Sequence, residues 1–416
     1  MQAVLAIPGC DTLRPYGGPG EALMREVAGV PLLVRVIATA ARAGVDSILM
    51  IWPEDASPSI LESGAAWPLI QGVRLDYAFT AAPFDPRRGS QWTTLMPRLE
   101  ENFVWLPWNW VTHKRGILSL TRDSFRPVCW REPALLERRA LVSEFRLHVS
   151  SNNVPPGVAI ESEASVRLAE RFLVRNSGKP TDGFYSNLNR RLCGPFVRWL
   201  AHTSVTPNAI TLAGLVVAIV AAVWFAGGTY FNQLAGAVLF FISGLIDEMD
   251  GMIARMKFRE SAFGTWFEGL VDNITYLAVF AGVTAGLYRE HGVWALKYGG
   301  ALILGSVLSI VVIAMQRKLA TRKDRPHEYA GKMNQLMDAD SSNLISKVAR
   351  QIHIFVKKGV LVHYLLLFTV LGGLPVFLWL GAIGSNLTWI GALYFTYRFF
   401  GRRKGEPARQ EIPKAA

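Results

Sequence analysis

The chain is short of charge and of cysteine. Asp, Glu, Lys and Arg make up 18% of its 416 residues, where a soluble globular protein carries about 25%. That leaves too few ionised side chains to clothe a water-facing surface of this size. The cysteines, Cys10, Cys129 and Cys193, are an odd and widely spaced set, which gives neither a disulfide framework nor zinc-ligand spacing. The first residues lack the basic start and long apolar core of a secretion signal, and no internal repeat stands out. What the chain has in quantity is apolar surface, 51% hydrophobic residues, together with 44 Lys+Arg against 32 Asp+Glu, a net charge of +12. A basic excess suits either nucleic acid or an anionic membrane surface. Hydropathy selects the lipid bilayer as partner and excludes nucleic acid.

The apolar residues are clustered. From Pro207 to Ile246 there is no Lys, Arg, Asp, Glu or His, room for two membrane helices at about 20 residues each, with Gly227, Gly228 and Asn232 at the turn. Asn273–Tyr288 and Tyr298–Gln316 are uncharged as well, and Tyr364–Tyr397 is long enough for a helical hairpin bent at Gly381, Gly384 and Asn386. The expectation is six spans, near 208–227, 232–250, 264–288, 296–316, 360–382 and 385–400. Positive charge gathers at Arg255, Lys257 and Arg259, again from Arg317 to Lys358, and at Arg402, Arg403 and Lys404, whereas the turns near Gly228 and Gly384 carry none. The positive-inside rule then places both termini in the cytoplasm, and an even number of spans agrees.

Residues 1–180 read as an α/β domain. Val4–Ile7 and Val45–Ile51 have strand character, and Leu32–Ala43 is a helix ending before Gly44. Strands alternating with helices imply a parallel sheet covered on its faces. Residues 181–205 form an amphipathic helix on the membrane surface, with Leu188, Leu192, Phe196 and Leu200 on one face and Arg190, Arg191 and Arg198 elsewhere. Residues 206–402 are the all-α six-helix transmembrane bundle, and 403–416 a basic cytoplasmic tail.

Acids inside the apolar half carry the chemistry. Asp247 and Asp250 end the second span three residues apart, and Glu268 and Asp272 begin the third one turn apart, so each pair shares a helix face. An ionised side chain costs about 2.5–3.5 kcal/mol at a bilayer centre. Four acids facing one another could not all stay charged without cations. Oxygen-only ligands select Mg²⁺, Mn²⁺ or Ca²⁺ over zinc, and a pair of such ions can clamp a diphosphate for in-line displacement. Arg255 can neutralise a phosphate oxygen, and Gly251, Ala254 and Gly264 leave room for a flat nucleotide against the backbone.

The stretch Asp247-Glu-Met-Asp250-Gly251-Met-Ile-Ala254-Arg255, then eight residues, then Gly264-Thr-Trp-Phe-Glu268-Gly-Leu-Val-Asp272 resembles the signature of the CDP-alcohol phosphotransferases, D-x-x-D-G-x-x-A-R…G-x-x-x-D-x-x-x-D. Every fixed position matches except Glu268, where the family has Asp. Thr206-Pro207-Asn208-Ala-Ile210-Thr211 is similar to the family's entry motif. The resemblance covers about residues 180–400. It implies transfer of a phosphoalcohol or phosphatidyl group from a CDP-linked donor, of the CDP-diacylglycerol or CDP-inositol type, to an alcohol or phospho-alcohol acceptor, with release of CMP. By the same resemblance Asp247, Asp250, Glu268 and Asp272 hold two Mg²⁺ or Mn²⁺ ions, and Asp272 is also the general base. Gly251, Ala254, Arg255, Gly264, Asn208 and Thr211 contact the nucleotide. It further implies a bacterial or archaeal cell membrane, and a homodimer, since members of the family commonly pair through their spans. The longer Glu268 side chain moves its carboxylate by roughly a bond length, against ligand tolerances of about 0.2 Å.

The start of the chain, Ala3–Gly9 with Leu13-Arg14 and Val27–Leu33, resembles a sugar-phosphate nucleotidyltransferase with a Rossmann-type sheet. Gly20-Glu21 stands where that family has Pro-Lys, and Asn109 stands near the place of its metal-binding Asp, so the domain reads as degenerate. The pairing of the two halves, joined through Lys179-Pro180-Thr181-Asp182-Gly183 and Asn189-Arg190, resembles bifunctional enzymes that make CDP-inositol and join it to inositol phosphate. A bifunctional enzyme is therefore one alternative. A transporter or a catalytically dead membrane scaffold is another, from a different class. The basic run Arg317–Arg325 suits either a phosphorylated acceptor or an ordinary cytoplasmic loop.

Overall fold

The computed structural model describes residues 1–55, 61, 67–120, 126–127, 130–141, 148–149, 156–178, 184–320, 329–339 and 358–400. The linker 179–183, most of the run after Lys318 and the tail from 401 onward lie outside the described residues. The chain divides into two compact units. One comprises Met1–Gly178, Gly194–Ser204 and Met252–Arg259, the other Lys179–Cys193, Val205–Gly251 and Glu260–Ala416.

The first unit is built on a five-stranded sheet in the order Arg74–Thr80, Ser47–Pro53, Gln2–Ala6, Asn102–Trp105, Ala134–Glu137. Neighbours run parallel except the last pair. Ser47–Pro53 is buried at every position, which its run of Ile, Leu, Met and Trp anticipates for a strand covered on both faces. The helix Leu32–Arg42 is buried at every position from Leu32 to Ala40, as a helix covered all round is. The expected strands and first helix are present, shifted by a residue or two. A further helix, Glu163–Asn176, starts at a reciprocal cap: Ser165 N–H donates to Ser162 Oγ, and Ser162 N–H to Ser165 Oγ.

The second unit is helical. Four helices are long and apolar enough to cross a membrane: Pro207–Ala226, Ala262–His291, Val293–Ala320 and Leu374–Phe400, with Val360–Val370 a shorter apolar segment. Six spans were expected, and two of them fall short of that standard. The helix Tyr230–Met256 is 27 residues long, with Asp247, Glu248, Asp250 and Arg255 confined to its last turns. The last hairpin bends elsewhere than expected. It breaks between Lys358–Val370 and Leu374–Phe400, where Gly372 takes φ +67° and Pro375 opens the next helix, the ordinary pairing of a terminal Gly with an initial Pro. Gly381 and Asn386 lie inside the long helix instead. A Cβ on Gly381 would meet Leu302 at 3.3 Å, and the Asn386 amide donates to the Ala301 carbonyl at 3.0 Å. Both serve helix packing, where a polar side chain bridges neighbours without a hydrophobic driving force.

Thr206 caps Pro207–Ala226 by accepting from Ala209 N–H, and Ser261 caps Ala262–His291 by accepting from Gly264 N–H at 2.9 Å. These two helices lie in close contact. A Cβ on Gly282 would sit 2.2 Å from the Ala222 carbonyl oxygen, and one on Gly286 2.1 Å from that of Phe225. Phe225, Phe240, Val279 and Phe280 share one apolar core with Leu302 and Phe377.

Candidate active site

On Tyr230–Met256, Asp247, Asp250, Gly251 and Ala254 recur at the three- and four-residue steps that put them on one face. On Ala262–His291, Gly264, Glu268 and Asp272 do the same. Asp250 is buried at 3% exposure, while Asp247, Glu268 and Asp272 are half-buried. Burial of Asp250 is offset by Thr211, whose Oγ1 donates to Asp250 Oδ2 at 2.5 Å. Asn208, one turn earlier, lies beside Gly264: a Cβ on that glycine would be 3.5 Å from Asn208 Oδ1. The entry motif and the acidic motif therefore meet, with Thr211 on a carboxylate and Asn208 at the small residue.

One further polar residue on the acidic face lies outside the motif. Tyr276, one turn past Asp272, has a buried hydroxyl without a hydrogen-bond partner among the described residues. Its signal was present in the sequence, because Tyr276 continues the four-residue step of Gly264, Glu268 and Asp272. Behind Asp247 and Asp250, Glu248 pairs with Arg190 at 3.5 Å, and Cys193 Sγ lies 3.4 Å from the Leu245 carbonyl. Arg190 and its neighbour Asn189 are buried, at 7% and 1% exposure, so Arg190 is an internal ion-pair partner of the motif helix. Burial, helped by the charge of Glu248, pushes the Cys193 thiol up to about 12.

In the first unit, Arg255 Nε donates to the Ser177 carbonyl, at the C-terminal cap of Glu163–Asn176. Asn109 donates its amide to the Ile160 carbonyl at 3.1 Å, a structural engagement that ties its loop to the strand Gly157–Ala159.

The donor set suits a hard divalent cation by chemistry: carboxylate oxygens alone, on two helices, with one acid oriented by a hydroxyl. Among the described residues, however, no three Asp, Glu, His or Cys side chains converge into a ready metal cage.

Four helices long and apolar enough to cross a membrane suggest a multi-pass membrane protein, with acids on two of its helices. Residues 204–383 match the family model described as CDP-alcohol phosphatidyltransferase. Similar curated proteins include the archaetidylinositol phosphate synthase of Methanothermobacter thermautotrophicus, 39% identical over 97 residues, which are 23% of this chain and 47% of that one. The bifunctional IPC transferase and DIPP synthase of Aquifex aeolicus is 30% identical over 31% of this chain and 29% of its own length. The phosphatidylinositol phosphate synthase of Streptomyces avermitilis is 28% identical over 48% of this chain and 75% of its own. The match thus spans less than half the length of the first two.

Proposed function

We propose that the chain is a membrane-embedded CDP-alcohol phosphotransferase. It joins the phosphoalcohol or phosphatidyl group of a CDP-linked donor to the hydroxyl of a phospho-alcohol of the inositol phosphate kind and releases CMP. The observation that carries this reading is the bond from Thr211 Oγ1 to Asp250 Oδ2, which brings the entry motif onto the acidic motif, with Asn208 beside Gly264.

In the proposed reaction the acceptor oxygen forms a bond to the β-phosphorus and the bond from that phosphorus to the CMP oxygen breaks. The acceptor proton passes to the Asp272 carboxylate, and CMP departs with the electron pair. Asp247, Asp250, Glu268 and Asp272 would hold Mg²⁺ or Mn²⁺, which when bound supplies positive charge against the diphosphate. Asp272 can act as a base although cations lower its basicity, because it is held beside the attacking hydroxyl at high effective concentration. Gly251, Ala254 and Gly264 leave space for the cytidine, and Arg255 faces a phosphate oxygen once released from its carbonyl partner. The names of the similar proteins support an inositol phosphate acceptor, and their sources support a prokaryotic membrane.

Residues 1–180 are proposed as a non-catalytic relative of the nucleotidyltransferases. The absent Pro-Lys pair and the engagement of Asn109 with Ile160 support this, as does the mostly parallel sheet for a Rossmann-type origin. The helix Phe184–Ala201 is proposed to lie on the bilayer, with both termini cytoplasmic: Phe184, Phe196 and Trp199 project outward at 77%, 62% and 68% exposure, apolar surface with a use only in lipid.

The test is direct. Purified full-length protein with Mg²⁺ or Mn²⁺ is given CDP-diacylglycerol or CDP-inositol and inositol phosphate, and CMP is measured. CMP formation that requires donor, acceptor and metal together supports the reading. Formation of pyrophosphate from CTP and inositol phosphate would point to the bifunctional alternative. Absence of both products would overturn it.

A further inference from the structure

The helix Tyr230–Met256 carries the motif, and its end is closed in an unusual way. Arg259 N–H donates to the Ala254 carbonyl at 2.8 Å, and Phe258 N–H to that of Arg255 at 3.4 Å. This nested pair is the usual helix stop in which the intervening residue turns left-handed and is normally glycine. Here that residue is Phe258, at φ +56°. A bulky side chain holds this conformation only where its surroundings impose it. The carbonyls that the turn uses belong to Ala254 and Arg255, two fixed positions of the signature.

What imposes the conformation is the α/β unit, to which Met252–Arg259 belongs. Arg42 Nη2 donates to the Phe258 carbonyl at 2.9 Å. The Phe258 ring takes two guanidinium groups, with Arg35 Cζ 5.3 Å and Arg42 Cζ 5.5 Å from its centroid, within cation–π range. Arg35 is buried at 1% exposure and anchored by donating Nε and Nη2 to the Val27 carbonyl at 3.0 and 2.7 Å. Burial pulls its guanidinium down to about 9, against the opposing pull of Glu170, so it remains charged at neutral pH. On either side, Lys257 Nζ donates to the Thr203 carbonyl, and Arg255 to that of Ser177. Contacts at three residues, Arg255, Lys257 and Phe258, thus converge on one short segment.

We propose that the α/β unit serves transfer as a positioning device. Phe258, gripped by Arg42 and Arg35, fixes the end of the motif helix and hence the backbone of Gly251, Ala254 and Arg255 that receives the cytidine nucleotide. The proposal deepens the transferase reading and rests on it. Neither arginine touches substrate; both act through Phe258. This gives the domain a use that does not depend on nucleotidyl transfer, and it accounts for a phenylalanine where glycine would be free of strain.

The test uses the full-length protein. Phe258→Gly relaxes the left-handed backbone but removes the ring, so it separates clamp from strain. The expected result is a KM for the CDP-linked donor raised about tenfold or more, with kcat lowered by less than about threefold, and an unaltered KM for the acceptor. Phe258→Trp should return the donor KM toward the wild-type value. Arg42→Gln should reproduce the donor defect with the ring in place. A Phe258→Gly enzyme with wild-type donor KM would overturn the proposal. So would a loss shared equally by donor and acceptor that Phe258→Trp does not rescue, since that describes a merely structural role. A readout without activity keeps the outcome separate from that of the reaction. Trypsin should cut after Lys257, buried at 5% exposure, several times faster in Arg42→Gln than in wild type. Equal cleavage rates would sink the clamp even if CMP is released. Faster cleavage in a protein whose wild type yields no CMP would refute the reaction and leave the clamp standing.

Discussion

Thr211 Oγ1 lies 2.5 Å from Asp250 Oδ2, joining the first turns of Pro207–Ala226 to the last turns of Tyr230–Met256. Asp250 is almost fully buried, and a buried carboxylate needs such a donor to remain ionised. The bond occupies one oxygen and aims the other. Thr211→Val keeps the shape and removes the donor, which for a residue supporting a metal ligand costs about 10–100-fold in metal affinity. Mn²⁺ titration of purified protein reads this directly, and Thr211→Ser should recover most of the loss. Unchanged Mn²⁺ affinity in Thr211→Val would mean that the hydroxyl only ties the helices together.

Asp272 and Glu268 share a face one turn apart, yet the two substitutions should separate. Asp272→Asn is isosteric and removes the proposed base together with a charge on the metal, so CMP release should fall by at least about 100-fold. Glu268→Asp restores the shorter ligand of the family signature, and activity should hold or rise. A large loss in Glu268→Asp would show that the helix Ala262–His291 has settled around the longer side chain.

Much of this arrangement was legible in the chain itself. The acids stand out because charge is scarce around them, and their three- and four-residue steps place them on helix faces before any coordinates are known. Strand Ser47–Pro53 and helix Leu32–Arg42 were readable from a continuous apolar run and from a helix stop before Gly44. Failures came where one residue type serves two purposes. Gly381 and Asn386 have the composition of a bend, but a helix packed in lipid uses the same residues for close approach and polar bridging, and the true break uses Gly372 with Pro375. Arg190 has the composition of a solvent-facing residue and is instead buried on Glu248. Phe258 could not be found by pattern at all, since a left-handed helix stop advertises itself through glycine.

Cys193 gives a prediction independent of catalysis. Its thiol is pushed up from 9.0 to about 12 by burial and then by the charge of Glu248. The thiolate is the reactive form, so at pH 8 its population drops by about a thousandfold relative to an ordinary cysteine. Site-resolved mass spectrometry after maleimide treatment should find Cys193 unmodified in folded protein and modified after denaturation. Because Glu248 is held by Arg190, Arg190→Gln should open this corner and expose the thiol. Rapid labelling of Cys193 in the folded wild type would contradict the burial.

The seam between Pro207–Ala226 and Ala262–His291 should be the least forgiving surface in the bundle. Without an apolar driving force between helices in lipid, close backbone approach supplies the attraction. At Gly282 and Gly286 that approach leaves no room: an added methyl would lie 2.2 and 2.1 Å from the carbonyl oxygens of Ala222 and Phe225. Those oxygens belong to backbone and cannot swing aside, so the helix must shift, at about 1–3 kcal/mol for an overpacked site. Gly286→Ala should therefore lower the thermal midpoint in detergent. It should also lower CMP release, because the same rigid helix carries Asp272. The two positions are one turn apart, and a shift that admits one methyl partly admits the other. The double variant should thus lose less than the sum of the singles. Gly300→Ala is the control: nothing lies within 4 Å of its added methyl, and replacing a helical glycine by alanine gains up to about 1 kcal/mol in propensity. If Gly286→Ala were as stable as Gly300→Ala, the seam at Phe225 would have room to spare, and it would not be what holds Asp272 in register with Asp247.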